Sequence, residues 1–146
     1  MSFRFSLEAV LQFRKSLEES EELVLHKIDQ EMAGVRLELE QLAARQQSFR
    51  EQKSGELAHG LPAIHLQEMC EQEQQLVEAV KARQALLQEL ENKRLAQMAR
   101  YRAARQNREV LSEIRQQKHH SYLQEQLRQE QKMLDDLFLT RSKSSN

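Results

Sequence analysis

Residues that break a helix are almost confined to one short window. Ser54, Gly55, His59, Gly60, Leu61 and Pro62 hold two of the three glycines and the only proline in 146 residues. Compact sandwiches and barrels need turn residues every eight to twelve positions or so, and such spacing is missing here. β-branched strand runs of the kind a doubly wound sheet requires are missing too. The bulk is 22 Leu, 20 Glu and 20 Gln, residues that lose little rotamer freedom in a helix. Charged residues at 31%, aromatics at 5% and a mean hydropathy of -0.78 describe long amphipathic helices better than a thick core.

The expected architecture is all-α, an antiparallel two-helix coiled-coil hairpin over residues 1–141. Helix 1 is expected over about 3–57, with Ser2 or Ser6 as cap, the turn over about 58–62 and helix 2 over about 63–139. Gly34 is a lone mid-helix glycine that a long helix absorbs. Pro62 fits the first turn of helix 2. The polar tail 142–146 is expected to be disordered.

Heptad scoring from Leu7 supports this. Position a reads Leu7, Arg14, Glu21, Ile28, Val35, Leu42 and Phe49; position d reads Val10, Leu17 and Val24, then turns polar while Leu25, Met32 and Leu39 take over at e. The stripe drifts as a 3.6-residue helix should on a 3.5 grid. Helix 2 shows Met69, Leu76, Val80, Leu87 and Leu90, weakens over 97–108, and recovers at Val110, Leu111 and Ile114. Folding at residue 60 places Val35 near Leu86 and Leu87, and Leu42 near Ala79. Helix 1 would be about 80 Å long. Helix 2 would pass the N-terminus from about Tyr122, leaving apolar surface for another protein.

The net charge of -1 argues against a nucleic-acid glove. No apolar run approaches the roughly 18 residues of a membrane span, and no secretory signal opens the chain. One cysteine, Cys70, suits a reduced, cytosolic setting. His26, His59, His65, His119 and His120 lack the spacing of a metal set, and no phosphate loop can be built from three glycines. Carboxylates such as Glu18, Glu19, Glu21 and Glu22 have no water-excluding pocket in a hairpin, so an enzyme, a cofactor and a metal are not expected. Lys93, Arg94, Arg100, Arg102, Arg105 and Arg108 form an acid-free belt. Hairpin pairing sets residues 18–22 opposite about 99–103, where the belt neutralises the acidic run; the other reading is a surface for an acidic partner.

Both chain ends concentrate apolar mass: Phe3, Phe5, Leu7, Val10, Leu11 and Phe13 at one, Met133, Leu134, Leu137, Phe138 and Leu139 at the other. They form either an end cap that locks the coil or an anchor inserted into a partner.

The opening Phe3-Arg4-Phe5-x-Leu7-x-x-Val10-Leu11-x-x-Arg14 and the ending Arg128-x-Glu130-Gln131-Lys132-x-Leu134-Asp135-Asp136, at this length and with one central turn, resemble the FliJ family of flagellar type III export proteins. The resemblance implies an antiparallel coiled coil similar to the central stalk of rotary ATPases. It implies binding to the export ATPase hexamer and promotion of its assembly, contact with the export gate membrane protein, and escort of substrate-specific export chaperones. The implied location is cytoplasmic, peripheral to the inner membrane. Carried onto this chain, the ATPase-binding pole comprises Phe3, Phe5, Leu7, Leu11 and Arg14 with Lys132, Leu134, Asp135 and Leu137. The export-gate surface comprises Leu42, Arg45, Phe49, Leu76, Ala79 and Arg83; relatives can carry an aromatic at the place of Arg45 and a His at that of Arg83. A monomer is expected, because the seam is satisfied within one chain. The rival readings are a homodimeric coiled-coil scaffold and an injectisome counterpart.

Overall fold

The computed structural model describes residues 2–144. Two helices hold nearly all of them: α1, Glu8–Ala58, of 51 residues, and α2, Ala63–Ser144, of 82. No strand occurs among the described residues. The protein is an all-α helical hairpin whose two long helices pack on each other.

The connection follows from its composition. The His59 N–H donates to the Glu56 carbonyl at 3.2 Å and the Gly60 N–H to the Leu57 carbonyl at 3.3 Å. Gly60 sits at φ +80°, the left-handed conformation that ends helices and that glycine adopts without steric cost. Pro62 then offers its carbonyl to the Leu66 N–H at 3.2 Å, opening α2.

Two boundaries differ from expectation. α1 starts at Glu8 rather than near residue 3. Phe3 and Phe5 are two residues apart, so an extended segment turns both rings to one side, whereas a helix would splay them. Both meet α2: Phe3 lies 4.8 Å from the His119 ring and 5.5 Å from that of Tyr122, and the Lys118 ammonium sits 5.7 Å over Phe5. At the other end, α2 runs through Ser142 and Lys143 to Ser144, where a disordered tail was expected. Arg141 and Lys143 in its last turn suit the negative helix end. Hydroxyls of Thr140 and Ser144 donate back to the carbonyls of Asp136 and Arg141. The last two tail residues, 145 and 146, lie outside the described residues.

Contacts divide the single hairpin expected from sequence into two units: residues up to Ser20 with those from Arg102 onward, and Glu21–Tyr101. Within Glu21–Tyr101, Met32, Val35 and Leu90 are buried, with Ile28, Leu39, Leu86 and Leu87 packed around them. Leu86 and Leu87 pack on the cluster that contains Val35, in keeping with the heptad register. Arg94 reaches Asp29 at 2.7 Å, Arg83 reaches Glu38 at 2.8 Å, and Lys53 reaches Glu73 at 2.9 Å. Each pair steps up one helix and down the other, which is antiparallel pairing. In the terminal unit, Phe5, Leu11 and Ala104 are buried. Salt bridges Arg108–Glu18 at 2.6 Å and Arg115–Glu8 at 2.9 Å tie its helices together.

Candidate functional site

The sequence nominates two surfaces, one in each unit. In the terminal unit, the nine nominated residues fall into three environments. Phe5 and Leu11 are inside, at 7% and 2% exposure, so they close the seam and offer no surface. Phe3 and Arg14 are half-buried, Phe3 against His119 and Tyr122. Leu7, Lys132, Leu134, Asp135 and Leu137 are exposed.

From Leu123 to the end of α2, all seven large apolar side chains are open to solvent: Leu123, Leu127, Met133, Leu134, Leu137, Phe138 and Leu139. Leu127, Leu134, Leu137 and Phe138 recur at seven, three and four residues, so they share one helix face. Leu134, Asp135, Leu137, Phe138 and Arg141 line a shallow groove there. Phe138 and Arg141 belong to this surface although the family motif does not single them out. Their signal was the spacing of 134, 137, 138 and 141, the pattern of helix-in-groove anchors.

In Glu21–Tyr101, the six nominated gate residues do come together. Leu42, Arg45, Ala79 and Arg83 line one groove with Glu38 and Gln41. Arg45, Phe49 and Leu76 line a second with Ala44, Ser48 and Gln52. Arg45 belongs to both, so the six positions form one continuous surface drawn from both helices. Arg83 is held by its bridge to Glu38.

The basic belt does meet the acidic run, but beyond the facing stretch expected at 99–103. Glu18 meets Arg108, not a residue of 99–103, and Arg105 bridges Glu109 on its own helix. The Arg108 guanidinium makes this contact. Its Nε and one terminal nitrogen both donate to the Glu18 carboxylate, at 2.6 and 3.1 Å. That fork is the planar match of guanidinium to carboxylate. It lowers the Glu18 pKa from its ordinary 4.5, the Arg108 hydrogen bonds being the main cause. Hydrogen bonds from Gln12 and Arg115 lower that of Glu8, and the bond from Lys53 lowers that of Glu73 while Glu73 raises that of Lys53.

The sign of the pH dependence follows. A carboxylate whose pKa is depressed on folding adds stability that is full above its unfolded value and lost as pH falls through the folded one. Thermal melts should therefore drop as pH is lowered below about 4.5. Glu18→Gln should flatten this acid limb, and a slope identical to that of the parent chain would remove Glu18 from its causes.

Among the described residues no cluster of three or more His, Cys, Asp or Glu side chains is placed to hold a metal, and no helix is long and apolar enough to cross a membrane. Cys70 is exposed. The grooves are shallow and lined by apolar and charged side chains together, which suits protein recognition.

The family model described as Flagellar FliJ protein matches residues 3–146. The chain belongs to the FliJ family. As a FliJ-family member it is an export-associated helical protein of flagellum biogenesis and protein transport, with the two-helix pairing of a coiled coil. Comparison with curated proteins and with solved structures returned no match.

Proposed function

We propose that this FliJ-family chain is a non-enzymatic, stalk-like coiled coil that binds the export ATPase hexamer through its terminal pole and promotes ring assembly. The observation that carries this reading is the open apolar face at the end of α2, where Leu134, Leu137 and Phe138 surround a groove edged by Asp135 and Arg141. Such a face is stable in water only at the expense of exposed apolar area, and covering it by a partner supplies binding energy. Phe3, packed on His119 and Tyr122, and the exposed Leu7 add apolar surface on the N-terminal side of that face, while buried Phe5 and Leu11 close the seam of the same unit. The effect on ATP hydrolysis comes from binding one ring conformation better than another, because a ligand shifts an equilibrium only by differential affinity.

The same reading gives the surface of Leu42, Arg45, Phe49, Leu76, Ala79 and Arg83 to the export gate membrane protein, and has the monomeric chain escort substrate-specific export chaperones at the cytoplasmic face of the inner membrane. Two grooves that share Arg45 support one extended contact there.

The decisive test is reconstitution with purified export ATPase. Addition of the chain should raise both the hexamer fraction in sedimentation and the rate of ATP hydrolysis per subunit. No change in either at saturating chain overturns the reading.

A further inference from the structure

Gln97 is the buried polar residue among the described residues, at 5% exposure. Leu90, Gln97, Ala104 and Leu111 recur every seven residues on α2, so Gln97 occupies a seam position where a leucine would pack. Its Nε2 donates to the Glu21 backbone carbonyl at 3.0 Å and also to the Glu21 carboxylate, to which it makes a short contact. An amide nitrogen has two donors, and Glu21 takes both.

We propose that the Gln97–Glu21 contact is a register lock, which selects one alignment of the two helices and rejects a slip of seven residues. The apolar packing around it discriminates poorly between those alignments. The seam residues of α1 repeat as Ile28, Val35 and Leu42, and again as Leu25, Met32 and Leu39. A seven-residue slip exchanges one aliphatic for another. The exposed bridges Asp29–Arg94 and Glu38–Arg83 are of the solvent-screened kind that adds little. The amide is not indifferent. One heptad further along α1 it would face Ile28, whose side chain has no acceptor and whose bulk keeps the amide off the backbone. One heptad back it would face Arg14, whose side chain carries only donors, so the bond that the Glu21 carboxylate accepts would be lost. A buried amide with unpaired N–H groups costs more than a bonded one gains, so the penalty falls on the wrong alignments.

Alignment matters because the grooves of this unit are built from both helices. Leu42 and Arg45 of α1 share a groove with Ala79 and Arg83 of α2 only in the observed register. A slip would bring Leu86 toward Leu42 and change the surface. The lock thus determines which side chains the molecule presents together.

The test uses the full chain with Cys70→Ser and spin labels at Ala33 and Gln74, both exposed. The parent should give one label distance. Gln97→Leu should add a second population displaced by about 10 Å along the helix axis, the length of seven helical residues, longer where residue 97 faces Ile28 and shorter where it faces Arg14. Its melting temperature should equal or exceed that of the parent, since leucine fills the seam. Glu21→Leu, which removes the carboxylate partner and shields the carbonyl, should add the same population. A single unchanged distance in both variants overturns the proposal and assigns the register to the turn and the apolar packing. Loss of helix in Gln97→Leu overturns it as well, because the amide would then supply stability rather than alignment.

Discussion

Leu134→Gln combined with Leu137→Gln is expected to weaken binding to the export ATPase by roughly 20- to 400-fold while the helix content stays unchanged. The two leucines are 61% and 60% exposed, so neither holds the hairpin together. Glutamine is close to leucine in helix propensity and adds no charge beside Asp135 and Asp136. Covering a leucine side chain completely contributes about 1.5–3 kcal/mol, and each 1.4 kcal/mol is about a factor of ten in affinity, so two anchors account for the loss. Calorimetric titration of ATPase with parent and variant chains measures it, with circular dichroism as the control. Equal affinities would move the ring contact away from the end of α2. A drop in helicity would mean that these side chains support the fold through contacts made elsewhere.

The turn, the helical class and the pairing direction were all legible from residue types, for one reason. Gly60, which takes the left-handed conformation, and Pro62, which lacks an N–H, stand two residues apart, and the residue types around them favour helix. The ends were harder. Phe3 and Phe5 look like the first turn of a helix when scored for hydrophobicity, and only their spacing of two betrays an extended segment laid against His119 and Tyr122. The end of α2 reads as a polar tail by composition, yet Arg141 and Lys143 complement the helix dipole and hold it in place. Gln97 was hidden by its type. Hydrophobicity scoring treats glutamine as a surface residue; the seven-residue step from Leu90 to Gln97, Ala104 and Leu111 puts it on the seam, but its partner Glu21 lies across the seam and is not read from that step.

The proposed gate surface and the proposed pole differ in the same way. Leu42, Arg45, Phe49, Leu76, Ala79 and Arg83 line adjoining grooves because heptad spacing already puts them on facing sides of two paired helices. At the pole, a seam residue and a partner anchor are both large and apolar, so sequence alone cannot separate Leu11 from Leu134. Burial does, at 2% against 61%.

That separation gives the second large effect. Leu11→Ala should destabilise the terminal unit by about 2–5 kcal/mol, the cost of emptying a filled site that relaxes only in part. The thermal midpoint should fall by roughly 5–15 °C. Phe13, apolar and two residues away but 64% exposed, should tolerate alanine within about 0.5 kcal/mol. Hydrogen exchange locates the damage. Because contacts divide the chain at Ser20 and Arg102, amides of 8–20 and 102–122 should lose protection in Leu11→Ala while those around Met32, Val35 and Leu90 keep theirs. ATPase binding by this variant should track the folded fraction of the terminal unit and recover on cooling, unlike that of the Leu134 and Leu137 variant, which should stay weak at every temperature. If Leu11→Ala instead loses binding with protection intact, Leu11 touches the ring directly and the pole must open to admit it.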